Sequence, residues 1–348
     1  MIATKGYAVH NKADKLAPWN FERRELGPKD VLIDILFSGV CHSDIHQVRS
    51  EWGPAIYPMV PGHEIVGRIA EIGSEVANFK IGDLAGIGCM VDSCKECPTC
   101  KGGQEQFCER GETVMTYNGL ERDKKTPTYG GYATKIVCTE EFVVHVSEKL
   151  PIEGVAPLLC AGITTYSPLK RWGIGKGHKV AVLGLGGLGH MAVKFAVSFG
   201  AEVTVLSTSP SKKEDAKKLG AHKFVVTKDA EEVKNYKGYF DFIIDTVSAP
   251  HDYDMYLNML NINGVQICVG IPPEPIKLTG FLLLGGNKTI TGSSIGGIDE
   301  TQEMLDYCAE HNIVSDVEVI NINYVNEAYE RVLNSDVKYR FVIDVSTI

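Results

Sequence analysis

Apolar residues recur along the chain with two different periods. Through the first third they come in short β-branched runs, "DVLIDILFSGV", "EIVGRIAEIG", "DLAGIGCMV" and "YATKIVC", broken by Gly and Pro turns. Such runs predict short strands and a mainly β domain. The texture changes after "CTEEFVVHVSEKLP". From Ala156 a helix comes first, and then strands alternate with helices. "HKVAVLGLG" reads as a strand, "GGLGHMAVKFAVSFGA" as a helix, "EVTVLST" as a strand, "SPSKKEDAKKLGA" as a helix and "KFVVT" as a strand, with "YFDFIIDTV" and "KTITGSS" further on. This alternation predicts a parallel sheet covered on both faces. After Gly296 and Gly297, "DETQEMLDYCAEHNI" has the apolar spacing of an amphipathic helix, and "YRFVIDVS" reads as a closing strand. No internal repeat or low-complexity segment interrupts the pattern.

A length of 348 residues suits two domains. The net charge of −9 argues against nucleic acid or an anionic membrane as partner, since both call for a basic face. No apolar run is long enough to span a bilayer. The start, "MIATKGYAVHNKADK", lacks the apolar core of a secretory signal, so a cytoplasmic location is expected. Ten cysteines in a reducing compartment are not a disulfide framework, and their clustering points to metal.

The densest cluster is "SCKECPTCKGGQEQFC", with Cys94, Cys97, Cys100 and Cys108 spaced C-x2-C-x2-C-x7-C. Four thiolates fill every corner of a tetrahedral zinc site and leave no place for substrate. The lobe, about residues 89–112, holds little apolar material of its own, so the metal is expected to be a structural staple. An iron–sulfur cluster is the rival reading; zinc is preferred because no other cluster motif accompanies the four thiols. Cys89, Cys138, Cys268 and Cys308 read as ordinary thiols.

"VAVLGLGGLGHMAVKFA" carries Gly184, Gly186 and Gly189 as G-x-G-x-x-G, with Leu185, Gly187 and Leu188 between them. The motif follows a strand and opens a helix, the context of a dinucleotide-binding loop that cradles a pyrophosphate at a helix N-terminus. An NAD site of this kind carries an acid at the tip of the second strand. Here the tip reads Ser207, Thr208 and Ser209, and the next acids, Glu214 and Asp215, lie a helical turn or more further on. Hydroxyls and Lys212 suit the 2′-phosphate of NADP(H). The bland reading is that the hydroxyls cap the next helix.

A second set of potential ligands is dispersed: Cys41 to His46 in "GVCHSDIH", His63 and Glu64 in "PGHEIVG", and Cys160 in "APLLCAGITTY". None is strong alone. Together, "CHSDIH", the four-cysteine lobe and "GHEIVGRIAEIGSEV", which fits G-H-E-x2-G-x5-G-x2-V, resemble the zinc-dependent medium-chain alcohol dehydrogenases. The likeness runs over essentially the whole chain. "CHSDIHQVRSEW", "YPMVPGHE", "PLLCAGITTYSPL" and "KYRFVIDV" are most similar to the cinnamyl alcohol dehydrogenase branch.

The resemblance implies a GroES-like catalytic domain over 1–155, a doubly wound Rossmann domain over 156–295 and a return to the catalytic domain over 296–348. It implies two zinc ions per subunit and NADP(H). The catalytic zinc would be held by Cys41, His63 and Cys160. Glu64 matches a carboxylate that approaches the metal from behind, and Asp44 the acid that orients the histidine ligand. Ser43 and His46 match a relay carrying the alcohol proton by way of the cofactor ribose to solvent. His42 stands where relatives often have Arg near the pyrophosphate, and Arg340 matches a pyrophosphate-binding arginine. Thr164, Val269, Ile271, Ser293 and Ile295 would surround the nicotinamide. Trp52, Met59 and Met90 are candidate substrate walls. The implied reaction interconverts small primary alcohols and aldehydes, aromatic or allylic by branch, in a homodimer. The rivals are a zinc polyol dehydrogenase and a cofactor-binding protein without turnover; the relay pair Ser43 and His46 counts against the second.

Overall fold

Strand Asp30–Val40 is buried at almost every position, with only Asp34 exposed. Its composition follows from this: a strand covered on both faces reads as a nearly continuous β-branched run. It pairs antiparallel with Arg340–Asp344, Ile65–Ile72 and Lys135–Thr139. Around it a seven-stranded sheet extends through Val317–Asn321 on one side and through Leu84–Ile87 and Val144–His145 on the other. Two small hairpin sheets, Ile2–Ala8 with Ala17–Arg23 and Met90–Asp92 with Val114–Met115, complete the β structure of this unit. The structure, a computed structural model, describes all of residues 1–348.

The chain forms two units: Met1–Ile163 together with Gly296–Ile348, and Thr164–Ile295. The second is a six-stranded parallel sheet ordered Lys223–Val226, Glu202–Ser207, Lys179–Leu183, Phe240–Asp245, Leu260–Cys268, Thr289–Gly292. Its central strand Lys179–Leu183 is buried from Val180 onward. Helix Gly187–Ser198 follows it and buries Met191, Val193 and Phe195. One core cluster joins Leu183, Leu206, Val225, Phe240 and Ile243 of the strands to Tyr256 and Leu257 of helix Tyr253–Met259. This is the doubly wound α/β fold expected from the alternating pattern, and the first unit is mainly β.

The first crossing lies between Ile163 and Thr164, inside helix Ala161–Arg171, and not at residue 156 as the change of texture suggested. The reason is packing. Leu158 and Leu159, at 0% and 1% exposure, belong to the core of the first unit. Leu159 lies against Gly86 and Gly88 beside strand Leu84–Ile87.

The sheet positions the chemistry. Asp30–Val40 ends where Cys41 begins, and Ile65–Ile72 begins where Glu64 ends, so antiparallel pairing sets Cys41 beside His63 and Glu64. The pairing is interrupted between Ile35 and Phe37, and there Gly67 lies so close that a Cβ would collide with the Asp34 carbonyl. Gly67→Ala is therefore expected to destabilise the chain by about 1–3 kcal/mol. The check is a lowered thermal unfolding midpoint; an unchanged midpoint would mean that the two strands can separate without loss.

Candidate active site and metal centres

Cys94, Cys97, Cys100 and Cys108 form a buried cluster with no other member. Their sulfurs lie within 4.8 Å of one another, and Cys94 Sγ is 3.7 Å from Cys100 Sγ. A tetrahedral ion with ordinary zinc–thiolate bonds sets its sulfurs about 3.8 Å apart. The fit is to one ion; a cluster, with several irons inside the ring of thiolates, holds them wider. Backbone N–H groups point at the sulfurs: Cys97 N and Glu96 N at Cys94 Sγ, Cys100 N at Cys97 Sγ. Burial raises the Cys108 thiol, but amides, that of Cys94 foremost, bring it down to about 6. Burial pushes Cys100 up to about 12. Such a ring, part thiolate and part thiol, is ready for a divalent ion. The lobe is also fastened elsewhere in its own unit. Glu105 accepts the amide of Ile298, at the start of helix Ile298–His311, at 3.2 Å, and Gly297 lies directly against the Gly103 carbonyl.

The second donor set is Cys41, His63, Glu64 and Cys160, all buried, with ligand atoms within 4.8 Å of one another. The two thiols lie close together, and their interaction lowers the Cys41 thiol and raises that of Cys160. Burial works against charge on His63, but the Asp44 carboxylate beside it prevails and raises the imidazole. His63 Nδ1 is 3.1 Å from Asp44 Oδ1, so the proton belongs on Nδ1 and Nε2 is free for a metal. Glu64 is fully buried, with Oε1 paired to Arg340 and Oε2 without any partner. Burial pushes its carboxyl up, to about 7, against the pull of the guanidinium. A Cβ on Gly39 would collide with this carboxylate, so glycine there makes its room. Two thiols, one correctly oriented imidazole and an orphaned carboxylate oxygen fit a catalytic zinc with an open position.

Helix His42–Val48 carries the remaining residues. Asp44 caps it by accepting the Cys41 amide at 2.9 Å. Ser43 Oγ lies 3.5 Å from Cys41 Sγ. His46 Nδ1 meets Glu51 Oε2 at 2.5 Å, and its ring stacks on Trp52 with centroids 4.8 Å apart. His42 is exposed. Two of the expected walls are withdrawn: Met59 and Met90 are only 1% and 2% exposed and pack as core, while Trp52 at 43% presents a free face. Arg340 has a partner that the family likeness did not name. It is buried as the counter-ion of Glu64, and its Nε lacks a partner. Sequence reasoning missed this pair, the Glu51 contact to His46 and the tyrosines around Asp44.

In the second unit Gly184 takes φ of 88°, open only to glycine-like backbones, and helix Gly187–Ser198 starts directly from Gly186. At the strand tip no side-chain oxygen caps the short helix that follows Ser209; instead Ser207 Oγ accepts the Ser209 amide at 3.2 Å. Lys212 Nζ reaches back to the Leu185 carbonyl at 2.9 Å, which ties the tip to the glycine loop. Val269 is buried, Ile271 exposed, and Ile295 takes φ of 41°, unusual for a β-branched residue. Ser293 donates its amide to the Cys268 carbonyl, and Thr164 is buried.

Comparison with known proteins agrees with both halves. The family of the alcohol dehydrogenase GroES-like domain matches residues 27–148, and that of the zinc-binding dehydrogenases matches 187–310. The chain is 52% identical over 348 residues to NADP-dependent alcohol dehydrogenase C 1 of Mycolicibacterium smegmatis, covering all of this chain (100%) and 99% of that one. It is 51% identical over 343 residues to the 8-hydroxygeraniol dehydrogenase of Catharanthus roseus, covering 98% and 94%. Among solved structures, that of a CAD from Helicobacter pylori complexed with NADP(H) superposes with a TM-score of 0.93 at 47% identity, over 99% of each chain.

The two donor sets should separate by experiment. Elemental analysis should find about two zinc ions per chain. Cys100→Ser should lower the melting temperature, whereas Cys160→Ser should abolish turnover with the fold retained. Loss of activity in both variants at an unchanged melting temperature would refute the division into a structural and a catalytic site.

Proposed function

This chain belongs to the zinc-dependent medium-chain alcohol dehydrogenases, of cinnamyl alcohol dehydrogenase type, and we propose that this NADP(H)-dependent enzyme interconverts primary aromatic or allylic alcohols and their aldehydes. The observation that carries the substrate reading is the half-exposed Trp52 ring stacked on His46. It offers a flat apolar surface beside the proton path, which suits a conjugated substrate. Names among the relatives include a cinnamyl alcohol dehydrogenase and an 8-hydroxygeraniol dehydrogenase, beside probable mannitol dehydrogenases that stand for the rival polyol class.

Cys41, His63 and Cys160 would hold a zinc ion, which would supply a Lewis acid for the substrate oxygen, and bound NADP(H) would supply or accept the hydride. Ser43, next to Cys41 on the same helix turn, takes the alcohol proton at Oγ. His46 passes it to solvent, and Glu51 at Nδ1 fixes the ring. Asp44 holds His63 in the tautomer a metal needs. Glu64 keeps one oxygen uncommitted behind the donor set, restrained by Arg340.

For the cofactor, the glycine loop Gly184–Gly189 takes the pyrophosphate, while Ser207, Thr208 and Lys212 take the 2′-phosphate. In support, the strand tip carries no acid, and Ser207 and Thr208 do not cap the next helix. His42 and Arg340 are assigned to the phosphates, and Thr164, Val269, Ile271, Ser293 and Ile295 to the nicotinamide, by likeness to the family.

A homodimer joined through the second units suits the edge strand Thr289–Gly292, which has no neighbour on its outer side. Phe281 and Leu284 on helix Gly280–Leu284 add apolar surface at 81% and 78% exposure. Ten free thiols suit a cytoplasmic location, and no helix is long and apolar enough to cross a membrane.

Two measurements test the reading. In a spectrophotometric assay over a panel of aldehydes, kcat/KM should be highest for cinnamaldehyde-like substrates and higher with NADPH than with NADH, and Ser207→Asp should shift preference toward NADH. Equal or better rates with polyols would overturn the substrate class. His46→Ala should slow alcohol oxidation by about 10²-fold at neutral pH and below, with less effect at high pH and partial rescue by imidazole buffers. A rate unchanged across pH would remove His46 from the proton path.

A further inference from the structure

Asp44 is fully buried, and no lysine or arginine pairs with it. Its charge is met by hydrogen-bond donors alone. Oδ2 accepts from Cys41 N at 2.9 Å and from the Tyr132 hydroxyl at 3.3 Å. Oδ1 accepts from Gly62 N at 3.1 Å and from His63 Nδ1 at 3.1 Å. The ring of Tyr117 lies face to face with His63, 5.8 Å between centroids.

Two of these donors belong to the backbone segments that bear the metal ligands, so the carboxylate ties Cys41 and His63 into one frame. It does so only while its plane is fixed. Backbone amides hold one site on each oxygen. The rest of Oδ2 is held by Tyr132, which has a single proton to give. That proton is directed by a further hydroxyl: Tyr329, on helix Val325–Leu333, donates to Tyr132 Oη at 3.5 Å. The order is one-way, Tyr329 to Tyr132 to Asp44, with His63 donating from the other side. Tyr132 is 0% and Tyr329 5% exposed. A buried phenol that merely filled space would leave its hydroxyl without a partner, at a penalty that Phe would avoid. Burial keeps both phenols protonated, as donors.

We propose that Tyr132, backed by Tyr329, is a positioning residue of the catalytic metal site: its hydroxyl locks the Asp44 carboxylate, and through it the His63 imidazole, in the orientation that holds zinc. The proposal rests on the assignment of Cys41, His63 and Cys160 as zinc ligands. It adds a third tier behind ligand and carboxylate, drawn from two parts of the chain that carry no ligand.

The test is zinc release from the intact protein into an excess of a chromophoric chelator. Wild type should release zinc in two phases, the catalytic one identified by its absence in Cys160→Ser. Tyr132→Phe removes one oxygen and opens no cavity. It should speed the catalytic phase by about tenfold or more and leave the structural phase within about twofold. It should also lower kcat while KM for NADPH stays unchanged. Tyr329→Phe should speed the same phase by a smaller factor. Tyr7→Phe, which removes another buried hydroxyl, bonded to Asn323, should change neither phase. Release of catalytic zinc at the wild-type rate from Tyr132→Phe would overturn the proposal. So would equal acceleration of both phases, which would make the hydroxyl a general support of the fold. A wild-type chain that yields a single zinc phase would overturn the ligand assignment itself, and the proposal with it.

Discussion

Backbone pairing between Asp30–Val40 and Ile65–Ile72 continues to the end of both strands, where Gly39 N donates to the Glu64 carbonyl at 2.9 Å. Cys41, His63 and Glu64, three of the four donors of the catalytic centre, hang from that last rung. Cys41 leaves one strand and His63 enters the other, so a sheet hydrogen bond fixes their separation before any side chain is chosen. A slip of one residue would turn each of them to the opposite face. The long apolar run of the central strand is therefore more than core material. It holds the register that makes two distant residues neighbours.

The charges near this rung need a shared solution. Two thiols, Asp44 and Glu64 can all be anionic, and Arg340 is the cation buried among them. Unpaired burial of even one such charge is costly. Asp44 is met by amides and hydroxyls, Glu64 by Arg340, and the thiols by each other. A divalent ion answers what is left, since two thiolates match its charge. The same reasoning explains why the four-thiol lobe is held by backbone amides: with no aliphatic residue in the cluster, sulfur charge is the material it has to organise.

What the sequence made legible is what is local. The four thiols of the lobe lie within fifteen residues of one another, and the glycine loop sits at a strand–helix junction; both can be read as spacing. The domain types were legible too, because apolar period follows burial directly. The catalytic ligands needed the family likeness, since Cys41, His63 and Cys160 share no spacing rule. The polar structure behind them left no linear trace: Arg340 meets Glu64 across 276 residues, and Tyr329 meets Tyr132 across 197. Met59 and Met90 were misread as walls for a related reason. Nothing in a sequence tells an apolar side chain lining a cleft from one filling a core. The first crossing was misplaced because a helix runs through it unbroken, and helical periodicity does not change where tertiary neighbours do.

The four-thiol lobe has a contact whose meaning lies in the order of synthesis. Glu105 accepts the amide of Ile298, 193 residues later in the chain, and Gly103 rests on Gly297. All four thiols of the lobe have been made once Cys108 is in the chain, yet the helix that the lobe holds does not exist until the whole of Thr164–Ile295 has been translated. In the order of synthesis the clasp thus comes before its catch. A product that stops within Thr164–Ile295 never supplies it, and leaves Glu105 facing water where a helix should begin. The clasp closes only on a chain that has made the return.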